Sequence, residues 1–353
     1  MSPVGAAGAA GGDAVALVVE PVDFDDPATF DAYYEVFAGA LLADLGDLAI
    51  VISAAELRAE VLRPTGRYDF AGWLGRVDGA PAALGWVQTP LLDNPTQAAV
   101  MVATLPGHRS RGHGRRMLAL AEAEAAARGR TVLQGTVRWS GDASPDGTGV
   151  PGCALAVSAG WSFGLGDVQR RRYGPVDDDV LDALADEAAE RHAGYTLRSW
   201  EGAVPDELVD GWLALQSQVM LEAPRGDVDR GATTVDVAAH RAQEKSLDRQ
   251  GRRAFHTVAL APDGTPVGFT HLQVRRADPP YGTQLGSLVD RAHRGRRLGL
   301  AVKVANQRLL QRRAPEVAWV DTVNAESNAH MVAVNDRLGY RAVARQGEFQ
   351  KRL

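Results

Sequence analysis

Apolar and polar residues along the chain follow two periodicities, and both recur in the same order in each half of the sequence. Short valine-rich or alternating runs are typical of strands, whereas apolar residues three or four positions apart are typical of amphipathic helices. In the first half these patterns predict strands at 14–22, 97–106 and 131–139, and two more strands within 68–88. They predict helices at 25–45 and 53–63, and a third helix from the loop at 107–115 to about Gly129. A segment at 154–161 closes the unit. Asp78-Gly79, a dipeptide typical of tight hairpins, joins the two strands within 68–88.

The second half repeats this order after an acidic, alanine-rich stretch at 174–194 that carries no strand pattern. Asp263-Gly264 again separates two predicted strands. The predicted strands are at 195–202, 252–262, 265–274, 283–290 and 317–324. The predicted helices are at 206–221, from the basic loop after the strand at 283–290 to about 313, and from Glu326 to Leu338. Because both halves share one plan of similar length, the pattern indicates duplication of a domain.

Chain length supports the same division. A chain of 353 residues is longer than one compact core usually accommodates, so two domains are expected. We predict a disordered leader at 1–13, an N-terminal domain at 14–173, a partly helical linker at 174–194 and a C-terminal domain at 195–353. Each domain is expected to be α/β, with a central mixed sheet flanked by helices.

Composition and charge restrict the function. The chain is 45% hydrophobic and 23% charged, as in ordinary globular proteins, and its net charge of -6 argues against general nucleic-acid binding. A single cysteine, Cys153, excludes an internal disulfide framework, and the eight histidines show no metal-ligand spacing. Neither a signal peptide nor a membrane span is predicted. These features favour a cytoplasmic protein without a metal cofactor.

A basic, glycine-containing loop stands between a predicted strand and a predicted helix in the first half. Arg109, Gly112 and Gly114 form an R-x-x-G-x-G spacing, and Arg111, Arg115 and Arg116 add charge. Glycines there let backbone N–H groups approach a bound oxyanion, and the helix N-terminus adds a favourable dipole.

The second half has a related loop at the same place, with Arg294, Gly295, Arg296, Arg297 and Gly299. Neither loop carries the G-K-[ST] ending of a nucleotide-binding P-loop. Neither opens a first βαβ unit, as a dinucleotide-binding loop would. Two such loops at matching positions therefore indicate a different kind of anion-binding site.

Nearly the whole chain resembles the GNAT acyltransferase superfamily, in which this loop and helix hold the pyrophosphate of coenzyme A. The first loop matches the family pattern fully, whereas in the second Arg297 replaces the middle glycine. The resemblance also implies an oxyanion donor at a backbone N–H of the central strand, near Leu288 or Val289. The coenzyme A contacts it implies are Arg109, Arg111, Gly112, His113, Gly114 and Arg115 in the first domain, and Leu288, Val289, Arg294, Gly295, Arg296, Arg297, Leu298, Gly299, Asn324 and Asn328 in the second.

The segment at 322–341 resembles a second GNAT signature, in which an asparagine opens a helix and a leucine-glycine-aromatic triplet closes it. The resemblance places Asn324 and Asn328 beside the pantetheine arm, where amide side chains can pair with its amides. The first half keeps only the Gly160-Trp161 ending of this signature. We therefore expect the chemistry in the C-terminal domain.

Catalytic residues are not fixed by the sequence. Many family members carry a tyrosine that protonates the leaving thiolate, but at that register stand Asn335 and, in the first half, Ala156. Glu222 and His271 are candidates for a general base, and Asn335 could hydrogen-bond the sulfur. Attack by an already neutral amine is equally open.

The resemblance implies an acetyl-CoA-dependent N-acyltransferase acting on a primary amine of a small molecule or an amino terminus. A non-catalytic module that binds or senses coenzyme A is the alternative, because the usual acid and carboxylate are missing. The tandem arrangement is also distantly similar to mycothiol synthase, which acetylates an amino sugar conjugate. We rank that substrate below an unspecified small amine, and expect no nucleic-acid or membrane partner.

Overall fold

A computed structural model of the protein describes residues 16–62, 66–224, 226–231, 234–277 and 279–353. The predicted leader at 1–13 lies outside the described residues. The strands are β1 Val18–Pro21, β2 Tyr68–Val77, β3 Ala80–Pro90, β4 Gln97–Thr104, β5 Val132–Ser140, β6 Ser162–Tyr173, β7 Thr196–Glu201, β8 Arg253–Leu260, β9 Pro266–Arg275, β10 Tyr281–Val289, β11 Trp319–Ala325 and β12 Arg341–Arg352. The α-helices are α1 Pro27–Leu45, α2 Ala54–Leu62, α3 His113–Ala127, α4 Pro151–Ser158, α5 Asp178–Ala189, α6 Val209–Glu222, α7 Val237–Arg249, α8 Leu298–Arg313 and α9 Ala329–Arg337.

The described strands form one mixed sheet of twelve, in the order β1-β2-β3-β4-β5-β12-β6-β11-β10-β9-β8-β7. The predicted α/β class with a mixed sheet flanked by helices is confirmed. Local sequence explains where individual strands and helices begin and end. Asp78 and Gly79 adopt positive φ at the β2–β3 hairpin, and the Asp26 carboxylate accepts the backbone N–H of Thr29 at the start of α1.

The last strand of each half pairs inside the other half. β12, from the end of the chain, lies antiparallel between β5 and β6, and β6 lies antiparallel between β12 and β11. No strand was predicted at β6, because Arg170, Arg171 and Arg172 interrupt the alternation expected of a half-buried strand. All three arginines are nevertheless buried at the centre of the molecule.

Residues 174–194 do more than connect the halves. Within them α5 packs its Leu181, Leu184 and Ala188 against α8 in a buried apolar cluster. The domain boundaries stay predictions, since the exchanged strands leave no separate sheet for either half.

A buried ion pair joins the two halves at the middle of the sheet. Arg171 on β6 donates from Nε and Nη2 to the Asp321 carboxylate on β11, at 2.8 and 2.9 Å, and both side chains are almost fully buried. Gln169 and Trp319 also donate to Asp321. Full hydrogen bonding of the carboxylate offsets the cost of burying it, so loss of its charge would leave a buried guanidinium without compensation.

Asp321→Asn is therefore expected to lower the free energy of unfolding by about 3–5 kcal/mol. Urea denaturation measures the change. Glu207→Gln removes a carboxylate from the solvent-exposed Arg198–Glu207 pair and serves as the control, with an unfolding midpoint close to that of the unsubstituted protein. Equal midpoints for the two variants would contradict a structural role for the buried pair.

Candidate functional site

The two basic loops have the same backbone geometry. In the N-terminal half Ser110 and Gly112 have positive φ, and α3 begins directly after Gly112. In the C-terminal half Gly295 and Arg297 take these two places, and α8 begins directly after Arg297. Each helix therefore presents its first, unpaired N–H groups to the loop, which is a geometry suited to an anion.

The first arginine of each loop stabilises the loop itself. Arg109 donates from Nε to the Thr104 carbonyl and pairs with Asp44 at the end of α1, at 2.6 Å. Arg294 donates from Nε to the Val289 carbonyl and pairs with Glu222 at the end of α6. Glu222, a candidate base from the sequence, is thus the counterpart of Asp44 and is engaged by the loop.

The loops differ in the charge they leave available. Arg115 follows the N-terminal loop and donates to the carbonyl and hydroxyl of Ser158, both neutral groups. In the C-terminal half Arg297 pairs with Glu187 of α5, and the Arg296 guanidinium lies over the Tyr195 ring. Carboxylates of the C-terminal half therefore already compensate Arg294 and Arg297, whereas Arg296 lies against an aromatic ring.

A cavity of about 1230 Å³ opens beside the N-terminal loop. It lies where β4 and β5 diverge: the strands pair only over 97–99 and 132–134, and the following residues of both line the cavity. Gly112, Gly114 and Arg115 line its loop end. Gly114 keeps this end open, because a Cβ there would meet Leu155 at 3.3 Å.

The cavity reaches both faces of the sheet through the gap between β4 and β5. Ala99 pairs with Gln134, so the two-residue repeat of a strand directs Met101 on β4 and Thr136 on β5 to that same face. Phe37 of α1 lines the cavity on this face. The opposite face carries the loop and the start of α3. Two ligands could therefore meet in the gap from opposite sides.

The C-terminal half supplies part of the wall. Glu348 of β12, which is paired in register with Thr136, accepts hydrogen bonds from Arg230 Nη2 at 2.7 and 2.6 Å. The segment carrying Arg230 docks on this wall through the Asp229 carbonyl, which accepts from Gln134 at 2.6 Å. Burial raises the pKa of the Glu348 carboxyl, while Arg230 opposes the rise. The cavity is thus incomplete without the second half.

At the equivalent place in the C-terminal half, polar side chains span the gap. Lys303 of α8 donates to Asn335 Oδ1 at 2.6 Å, and Asn335 Nδ2 donates to Asn324 Oδ1 on β11 at 2.7 Å. The corresponding residues of the N-terminal half are the apolar Leu118 and Ala156, both of which line the cavity. Asn324, expected beside the pantetheine arm, and Asn335, a catalytic candidate from the sequence, here bond to each other.

The other residues selected from the sequence have the following positions. Asn328 caps α9, and its side-chain oxygen accepts a hydrogen bond from the Met331 N–H. His271 lies among Trp212, Phe269 and His256, and burial lowers the pKa of His271 to about 4. Leu288 and Val289 pair with β9 beside a bulge. His113 and Leu298 are the buried first residues of α3 and α8, Arg111 is exposed, and Gly299 is the second residue of α8.

The described part of the chain contains no cluster of three or more histidine, cysteine or acidic residues suited to a metal ion. It also contains no helix that is both long and apolar enough to cross a membrane.

Comparison with known proteins identifies the architecture. A solved tandem GNAT protein from the clavulanic acid biosynthesis pathway, obtained without AcCoA, is 28% identical, with a TM-score of 0.75 over 96% of this chain and 98% of that one. The chain has the fold of a tandem GNAT protein. A GCN5-related N-acetyltransferase from Sphaerobacter thermophilus shares this fold at 19% identity, with a TM-score of 0.65 over 97% and 96% of the two chains.

Saccharomyces cerevisiae N-myristoyltransferase, solved with bound myristoyl-CoA, shares the GNAT fold at 11% identity, with a TM-score of 0.55 over 95% of this chain and 80% of that one. No protein-family model matches the sequence, and no curated protein matches it closely enough to count. The suggested similarity to mycothiol synthase stays an expectation. At these low identities the Sphaerobacter thermophilus and Saccharomyces cerevisiae proteins show the fold alone.

The acidic and basic wall of the cavity was not predicted from the sequence. Glu348 and Arg230 are far apart in the chain, and neither belongs to a GNAT signature quoted from the sequence. Glu348 sits in the terminal segment, whose entry into the N-terminal half the sequence pattern does not reveal. No strand was predicted over 341–352, so the Gly347-Glu348-Phe349 triplet gave no usable signal.

The Lys303 bridge makes stability depend on pH in a definite direction. Burial lowers the pKa of Lys303 to about 7 from 10.5, so between these values the unfolded chain holds a proton that the folded chain lacks. Stability must therefore rise with pH across this window. Relative to Lys303→Met, the unsubstituted protein is expected to gain on the order of 1–2 kcal/mol of unfolding free energy between pH 7.5 and 9.5.

Urea denaturation at the two pH values measures this gain. Lys245→Met, at an exposed lysine, is the matched control and should show no comparable gain. A pH-independent difference between the unsubstituted protein and Lys303→Met would disprove the assignment of a buried, proton-releasing lysine.

Proposed function

We propose that the protein is an N-acyltransferase that moves an acetyl or similar acyl group from acyl-coenzyme A to a primary amine, with its active site in the N-terminal half. The observation that carries this proposal is the cavity between β4 and β5, which joins a loop suited to an anion on one face of the sheet to the half-buried Glu348 carboxylate on the other. The substrate is a small amine or an amino terminus. No metal takes part in the proposed reaction.

Coenzyme A fits the loop side of the cavity. Its pyrophosphate would accept hydrogen bonds from the first N–H groups of α3, and Arg115 is close enough to the loop to add a charge-assisted bond. The pantetheine arm would extend into the gap, where residues 100–104 of β4 have no partner on β5. A backbone N–H of this unpaired edge would stabilise the oxyanion that forms at the thioester carbonyl.

Glu348 is suited to act as the general base. A carboxyl whose pKa is raised by burial can take a proton from an ammonium group at neutral pH. The neutral nitrogen then attacks the carbonyl carbon, and the tetrahedral intermediate expels the thiolate with the electron pair of the C–S bond. The proton released by the new amide nitrogen goes to the thiolate.

The C-terminal half has a different part in this proposal. Sequence analysis favoured it for the chemistry, because of its asparagine-bearing segment. Its gap, however, is occupied by the Lys303–Asn335–Asn324 bridge, and two of its loop arginines are paired with Glu222 and Glu187. We therefore assign it the role of completing the acceptor side of the N-terminal site.

A module that senses coenzyme A without turnover is the second candidate. It is favoured by Ala156, which stands where many family members carry the acid for the leaving thiolate. Release of free thiol from acetyl-CoA across a panel of primary amines separates the two candidates. Binding without thiol release on any amine would support the sensing module.

Arg115→Ala is expected to weaken acetyl-CoA binding about 10- to 100-fold, as for loss of one charge-assisted hydrogen bond. Isothermal titration measures affinity and stoichiometry, which we expect to be one per chain. Arg294→Ala, in the C-terminal loop, is the matched control and should leave both unchanged. Weaker binding in Arg294→Ala with unchanged binding in Arg115→Ala would move the site to the C-terminal half.

Glu348→Gln keeps a hydrogen-bond acceptor for Arg230 but removes the base. We expect kcat to fall about 10²- to 10⁴-fold, with little change in acetyl-CoA affinity. In the unsubstituted protein, activity should decline as pH falls through the raised pKa of Glu348, because protonation disables the base. This acidic limb should be absent in the variant.

The pH profile of kcat, measured by thiol release, checks this expectation. Glu326→Gln removes an exposed carboxylate that pairs with Arg345 and provides the control. An unaltered profile in Glu348→Gln would exclude the assigned role.

A further inference from the structure

One charged group on the acceptor side of the cavity is not used by the proposed mechanism. Arg138 of β5 lines the cavity, two positions along the strand from Thr136, and therefore lies on the same face of the sheet. Its one hydrogen bond to the described residues runs from Nε to the Gln346 side-chain oxygen, at 3.2 Å. Gln346 is neutral and does not balance the charge.

The nearby carboxylates are hydrogen-bonded to side chains other than Arg138. Asp321 is the acidic group whose charge reaches Arg138, but it is bound by both arms of Arg171. Glu348 is paired with Arg230, and Asp167 accepts from Gln346. Within the described parts of the chain, no carboxylate lies within ion-pair distance of Arg138, although burial lowers its pKa. An arginine stays protonated even so.

An uncompensated guanidinium in a cavity wall is costly unless a ligand provides the counter-charge. The forked N–H groups of arginine match a carboxylate in a bidentate arrangement. Arg138 is paired in register with Gln346, and Glu348 stands two residues further along β12, so the two charged side chains are diagonal neighbours on one face. Such neighbours are about 7–8 Å apart, which leaves room for a small zwitterion between them.

We propose that the acceptor is an amino acid or a closely similar α-amino carboxylate, whose carboxylate binds Arg138 while its ammonium group faces Glu348. This inference rests on the proposed function and specifies its substrate class. The remaining wall suits an apolar side chain, because Phe37, Leu41, Trp86 and Met101 line the same side of the cavity. An aliphatic or aromatic amino acid is therefore favoured over a polar one.

The test compares amines that differ only in the carboxylate. Thiol release from acetyl-CoA is measured with L-leucine, L-leucinamide and isoamylamine, and with L-phenylalanine, L-phenylalaninamide and phenethylamine. In the unsubstituted protein kcat/KM is expected to be at least about 10-fold higher for each acid than for its amide and its decarboxylated amine, as for loss of one charged hydrogen bond. A preference for the amines that lack a carboxylate, or no preference at all, overturns the proposal even if acyl transfer occurs.

Arg138→Gln provides the second arm. The preference for the acids is expected to collapse to within about twofold through a rise in KM, while acetyl-CoA affinity by isothermal titration stays the same. Arg128→Gln, at a surface arginine paired with Asp69 and Glu124, is the control and should keep the preference. Thermal unfolding of each variant checks that it is folded.

The outcomes distinguish failure of the acceptor class from failure of the acyltransferase function. Weaker acetyl-CoA binding in Arg138→Gln would assign this arginine to the cofactor and overturn the proposal. Thiol release from amines without a carboxylate preference overturns the acceptor class and leaves the acyltransferase function intact. No acetyl-CoA binding and no thiol release with any amine would overturn the proposed function itself, and the acceptor proposal with it.

Discussion

The structure depends on the antiparallel pairing of β12 between β5 and β6. This pairing places the C-terminal strand of the chain inside the N-terminal half, and it makes a single sheet from two duplicated units. Because a strand is held by ladder hydrogen bonds on both edges, neither half can close its own sheet in this arrangement. The buried Arg171–Asp321 pair lies next to this junction and joins the halves through charge as well as backbone.

Duplication has produced two similar frameworks with different interiors. The loops share their positive-φ positions, and the first arginine of each is held by a strand carbonyl and a helix-end carboxylate. The difference lies in a few side chains behind the loops. Leu118 and Ala156 leave the gap of the N-terminal half open, whereas Lys303 and Asn335 fill the same gap in the C-terminal half. Side-chain volume and polarity, rather than fold, therefore distinguish the two interiors.

Strand exchange also brings together the charged residues of the cavity wall. β5 contributes Arg138 from the N-terminal half, while Glu348 and Arg230 come from the C-terminal half. The partial burial of these side chains strengthens the electrostatic interactions among them, because water is partly excluded. It raises the pKa of Glu348, and among the described residues the one hydrogen-bond partner of Arg138 is the neutral Gln346. The N-terminal half alone would lack Glu348 and Arg230, so the cavity wall requires both halves of the chain.

The sequence by itself determined the local features. Asp-Gly turns, helix starts at glycine loops and repeated strand patterns depend on neighbours in the chain, and they were enough to predict the GNAT fold. Arg297 was recognised as a substituted glycine from the loop spacing, and the structure places it in the left-handed conformation of Gly112. Tertiary structure alone decided β6, whose arginines are buried only because β11 and β12 flank them. It also decided which half holds the cavity and that Glu348 reaches it, since these depend on contacts between residues about 200 positions apart, for which local periodicity carries no signal.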